Sequence, residues 1–133
     1  MDTMPAAHAA ALWVGLHLIL LLVLSVRVVR QRRKHQVVLG DADIPELTQA
    51  VRAFGNATEY VPAGLIALAV LAMAGATPTV VHLMGLTLLV GRVAHAVGLS
   101  RSGGSSILRS AGVIATWLAY ILGGVALIFY AIP

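Results

Sequence analysis

The sequence predicts an all-α integral membrane protein: one domain over residues 1–133, folded as a bundle of four transmembrane helices. Three observations lead there. Of the 133 residues, 59% are hydrophobic and 11% charged, against roughly 45–50% and 25% in a soluble domain, and mean hydropathy is +0.93. Too little polar surface is left to coat a water-soluble globule, which excludes a soluble enzyme, and so apolar a chain must bury itself, which excludes disorder. The charges are also segregated. Residues 3–26, 60–91 and 110–133, stretches of 24, 32 and 24 residues, contain no Lys, Arg, Asp or Glu. Finally, no ten-residue alternation of polar and apolar positions repeats, so a membrane β-barrel is not indicated.

Each element follows from these windows. A spanning helix needs roughly 20 apolar residues, so the first and last stretches each hold one span, near 6–27 and 109–132. The middle stretch holds a hairpin of two, near 55–74 and 78–99, turning at Gly75-Ala76-Thr77-Pro78, where a helix stop precedes a Pro suited to a helix start. The main connection is expected over about 30–47. There Ile44-Pro45-Glu46 starts the second helix, with Asp43 as a possible N-cap. A shorter connection runs from Ser100 to Ser106.

Orientation follows from the cations. Arg27, Arg30, Arg32, Arg33, Lys34 and Arg52 belong to the first connection, and Arg92, Arg101 and Arg109 to the third, so all nine basic residues lie on one side. The positive-inside rule makes that side cytoplasmic, with both termini outside. A basic cluster directly after a span is explained by topology and anionic lipid, so no nucleic-acid partner is expected despite the pI of about 10.4. With no cysteine, disulfides, thiolate metal sites and a cysteine nucleophile are excluded, and no metal site is expected.

Ionisable groups inside a span cost about 2.5–3.5 kcal/mol each on insertion scales, so each calls for a function. Arg52, Asn56 and Glu59, spaced i, i+4, i+7, share one stripe of the second span, with Tyr60 beside them and Pro62 following. Arg92 and His95 share a face of the third span. Both groups lie toward the basic end, at a common depth, and are expected to converge on one hydrophilic cavity. Guanidinium grips carboxylate, carboxylate receives ammonium, and Asn supplies a donor and an acceptor. A small zwitterion with more than one carboxylate satisfies this set. The structural reading is that Glu59 pairs with Arg52 or Arg92 only to neutralise charge and fix helix register. Elsewhere, Trp13, Phe129 and Tyr130 read as interfacial anchors at the other end. His17, Trp117 and Tyr120 read as packing or lipid-facing groups, and Arg109 as a topology residue.

The stretch Arg52-Ala53-Phe54-Gly55-Asn56-Ala57-Thr58-Glu59-Tyr60-Val61-Pro62 resembles the signature of the MAPEG family, the membrane-associated proteins of eicosanoid and glutathione metabolism. That pattern is Arg, three residues, Asn, two residues, Glu, then Pro after two more, at the start of the second span. Gly91-Arg92-Val93-Ala94-His95 resembles the family's third-span Arg-x-x-His segment, and the texture is that of a bacterial member, which places it in an inner membrane. The resemblance implies a homotrimer with glutathione bound between neighbours near the cytoplasmic side. Arg52, Asn56, Glu59 and Tyr60 would contact the tripeptide, and Arg92 and His95 would line the same site. Arg27 and Arg30 are both candidates for the first-span arginine that faces the thiol. Two positions depart from the pattern. Leu99 stands where many catalytic members carry Tyr, and Gly55 where the prostaglandin-forming branch has Arg.

The function so implied is that of a glutathione-dependent membrane transferase or peroxidase, in which Arg activates the thiol toward a lipophilic electrophile at a subunit interface. The alternative is a non-catalytic lipid- or glutathione-binding protein of the same fold. A small proton-coupled exporter using Glu59 is a third reading, which proton-driven dye export lost in Glu59→Gln would favour.

Overall fold

The computed structural model describes residues 4–132 and is an all-α bundle of four helices, each long and apolar enough to cross a membrane. They are α1 (Met4–His35), α2 (Pro45–Met73), α3 (Pro78–Arg101) and α4 (Ile107–Ala131). The first helix runs further than its apolar window. At 1.5 Å per residue its 32 residues reach about 48 Å, well beyond a hydrocarbon core of about 30 Å. Its last turns, with Arg32, Arg33, Lys34 and His35, therefore extend beyond the hydrocarbon core. The first connection shrinks accordingly to residues 36–44, from the expected 30–47.

The helix ends explain the turns. Gln36 and Gly75 both take left-handed backbone, with φ of 56° and 78°. In each case the next N–H reaches back five residues, Val37 to Arg32 O at 3.0 Å and Ala76 to Leu71 O at 3.0 Å, which closes the orphaned carbonyls of the last turn. Pro78 then opens α3 immediately after Thr77. The start of α2 differs from expectation. Its N-cap is Ile44 and no side chain caps it. Asp43 has φ of 56° and so is turned away from a capping geometry. Asp41 braces the turn instead, accepting from the Thr48 hydroxyl at 2.9 Å and from the Asp43 N–H at 3.3 Å. At the start of α4, the Ser106 hydroxyl accepts from the Arg109 N–H at 3.2 Å, a regular side-chain cap.

Both α1 and α4 pack on α2 and α3, whereas α1 and α4 make no contact with each other among the described residues. The central pair α2–α3 therefore separates the outer helices, and each central helix keeps one face open. Away from the basic end the core gathers Trp13, Leu68, Leu71, Val81 and Met84. Toward the basic end it gathers Leu24, Ala53, Ala57, Val61, Ala96 and Leu99. Small residues set the spacing, as is usual where helices meet in lipid. A Cβ on Gly91 would lie 3.0 Å from Gly112 O and from the Thr116 side chain, so α3 and α4 touch backbone to backbone there.

Trp13 is not the interfacial anchor that its place in the sequence suggests. It is buried over Gly85, its indole N–H donating to His82 Nδ1 at 3.1 Å. One turn on, His17 is fully buried and donates from Nδ1 to Trp13 O at 2.6 Å. Phe129 is exposed, and Tyr130 accepts from the Thr77 N–H through its hydroxyl at 3.2 Å.

Candidate functional site

At 100° per residue, Asn56 sits about 40° round α2 from Arg52 and about 60° from Glu59, with Tyr60 a further 40° on. That offset decides where each side chain goes. Asn56 and Tyr60 turn into the seam with α3 and α4, whereas Arg52 and Glu59 stay exposed on the outward face. Among the described residues, neither Arg52 nor Glu59 makes a side-chain hydrogen bond within the chain. The expected pairing of Glu59 with Arg52 or Arg92 is therefore not made inside one chain.

Arg92 organises the inward group. It is 1% exposed, and its guanidinium donates from Nε to Thr116 Oγ1 at 2.8 Å, from Nη1 to Asn56 Oδ1 at 2.8 Å and from Nη2 to Gly112 O at 3.5 Å. Its Cζ lies 4.8 Å from the centre of the Tyr60 ring, within range of a cation–π contact. Its acceptors are neutral, and among the described residues no carboxylate joins them. Arg92 lies nine residues from the end of α3, and Thr116 nine from the start of α4, so both sit about 14 Å in from the basic end. Their matching depth is what lets one guanidinium clasp three helices.

Two members of this cluster escaped the sequence reading. Thr116 accepts from Arg92 and donates to Gly112 O at 2.8 Å. Tyr120 donates its hydroxyl to Tyr60 O, with the two rings 6.1 Å apart. The available signal was that Gly112, Thr116 and Tyr120 recur every fourth residue, marking a small and polar stripe on an otherwise apolar α4.

His95, 6% exposed, lies one turn closer to the basic end, against the Gly112 backbone. Its ring lines an open cleft of about 370 Å³ with Gly103, Gly104, Ser105, Ser106, Arg109 and Ser110. Arg109 crosses this cleft, donating from Nη1 to Gly104 O. The cleft thus combines an imidazole, a guanidinium and hydroxyls at the start of a helix, a setting that favours anions.

The first-helix arginines diverge. Arg27 is half-buried and turns to α3, donating to the Ser100 hydroxyl and carbonyl. Arg30 is exposed. Among the described residues, neither is hydrogen-bonded to the Arg92 cluster of its own chain.

A four-helix membrane bundle with one guanidinium bridging α2, α3 and α4, and an acid and a base left open on α2, defines a class of protein built around an intramembrane polar seam. The chain matches the MAPEG family over residues 10–129. It is also similar to the inner membrane protein YecN of Escherichia coli strain K12, at 36% identity over 121 residues and 91% of each chain. The YecN of Escherichia coli O6:H1 matches to the same extent. The chain belongs to the MAPEG family, the membrane-associated proteins of eicosanoid and glutathione metabolism.

Proposed function

We propose that the protein is a glutathione-dependent membrane transferase or peroxidase, working as a homotrimer with its site between neighbouring copies. The observation that carries this reading is the open pair on α2. Arg52 and Glu59 face outward from a membrane helix, opposite in charge, with no partner in their own chain among the described residues. Ionised groups at such positions cost a few kcal/mol each unless something polar meets them. A tripeptide with two carboxylates and an ammonium, held against a second copy of the chain, supplies what both need.

The remaining donors suit the same ligand. Asn56 gives its carbonyl to Arg92 and so keeps its amide N–H groups for a carboxylate or peptide carbonyl. Arg92 itself is sealed in and acts as a positioning residue, fixing Asn56 and Tyr60. His95 and Arg109 line a cleft open to anions. When bound, glutathione supplies a thiol whose thiolate is the nucleophile. A free thiol with a pKa near 8.5 is only about 3% ionised at neutral pH, and a guanidinium that lowers the pKa by about 1–2 raises this to roughly 25–75%. Arg27 is held by Ser100, so Arg30, exposed on the outside of α1, is the better placed to meet a neighbour's site. In an inner membrane the basic end faces the cytoplasm, the termini lie outside, and the second substrate is a lipophilic electrophile dissolved in the bilayer.

Thermal unfolding of the detergent-purified protein with and without glutathione tests the reading. Glutathione is expected to raise the melting temperature. Arg52→Ala and Glu59→Gln should each weaken its affinity by about 10–100-fold, the weight of one charged hydrogen bond. Arg30→Ala should lower turnover while leaving affinity intact. No shift with glutathione would end the proposal, and a shift without thiolate absorbance would leave the non-catalytic binding protein in its place.

A further inference from the structure

The open face of α3, on the other side of the bundle from the α2 stripe, carries a second site. A groove of about 420 Å³ runs between α1 and α3. Its walls are the apolar side chains of Leu24, Val93, Ala96 and Val97. At the basic end it is closed by Arg27, Ser100 and Arg101. Arg27 is drawn over the end of α3, donating two N–H groups to Ser100 and retaining others for an outside acceptor. Arg101 stands exposed beside it. Among the described residues α4 does not reach α1, so it leaves this groove uncovered.

We propose that this groove binds an anionic phospholipid of the surrounding leaflet, its acyl chain lying along Leu24, Val93 and Val97 and its phosphate between Arg27 and Arg101. Charge complementarity selects the occupant. Neither α1 nor α3 contains an Asp or Glu, so two guanidiniums meet here with no carboxylate to neutralise them. The bilayer supplies one abundant anion at the level of the headgroups, the phosphodiester, and basic pockets between helices at that level bind such lipids. A zwitterionic headgroup brings a cation toward the same two arginines and fits less well. The α2 face differs in kind. It offers an acid and a base together and so suits a zwitterion, whereas the α3 face offers cations alone above an apolar trough.

Native mass spectrometry of the full chain, with phosphatidylglycerol or phosphatidylcholine of the same acyl composition, tests this. Wild type should hold phosphatidylglycerol in clear preference. Arg101→Gln should lower that retention about fivefold, the weight of one cation near a membrane surface. Val97→Phe fills the trough without changing charge and should displace both lipids, and Val93→Phe repeats the test should the first variant fold poorly. Lys34→Gln, at the same end but outside the groove, should change little. Equal retention of the two lipids would overturn the proposal, as would a loss in Lys34→Gln matching that in Arg101→Gln. So would a Val97→Phe that alters oligomer mass but not lipid, because the groove would then be a contact between copies.

Discussion

The bundle is built in two ways along its length. Away from the basic end, glycines receive large apolar side chains: a Cβ on Gly64 would strike Leu88, one on Gly85 would strike Trp13, and one on Gly123 would strike Met84. Toward the basic end, Gly91 and Gly112 meet backbone instead, and the space beside them holds the Arg92 guanidinium. The first arrangement gains from close packing, since lipid tails are as apolar as the side chains they would replace. The second encloses a charge balanced only by neutral acceptors, which is commonly no better than an apolar filling and can be worse. The two halves therefore answer to different requirements. One holds the bundle together, and the other keeps a group that stability alone would not favour.

This contrast is sharpest at Arg92. Arg92→Lys keeps the charge but cannot span Asn56, Thr116 and Gly112, and should destabilise by about 1.5–3 kcal/mol for each acceptor abandoned. Arg92→Met loses the same bonds yet also removes the uncompensated charge, and should be clearly the milder change. Unfolding in mixed micelles measures both, and a lysine variant more stable than the methionine variant would erase the distinction. In the packed half, Trp13→Phe removes the bond to His82 while keeping a ring over Gly85, so a loss of only about 0.5–1.5 kcal/mol is expected.

The smallest effect lies outside both halves. The Thr48 hydroxyl and then the Asp43 N–H hold the Asp41 carboxyl below its ordinary value near 3.8. A depressed carboxylate contributes stability that is present above its unfolded pKa and disappears as pH falls through its folded one. Thr48→Val should therefore slightly flatten the acid limb of a stability–pH curve and leave neutral pH almost unchanged.

Much of the scaffold was legible because hydropathy is a local property. The charge-free windows located four helices, and Pro45 and Gly75 through Pro78 marked where helices begin and end. The shared depth of Asn56 and Arg92 was also readable, since it needs only residue counts from one end. Three features were not. Whether Asn56 turns inward and Glu59 outward rests on a 60° difference on a helix whose neighbours the sequence does not name. The parts of Thr116 and Tyr120 depend on partners on other helices, 24 and 60 residues away, and a lone hydroxyl in an apolar run looks like filling. Trp13 carries the composition of an interfacial anchor, yet Gly85 opposite makes it a core residue.

Because α1 and α4 do not meet among the described residues, strain does not pass directly between them there. Arg92 rivets α2, α3 and α4 into one plate, while α1 leans on that plate and is latched to it at the basic end by Arg27 on Ser100. A pull on the long cationic stem of α1 would thus load that basic-end latch first, ahead of the Trp13–His82 bond at the far end.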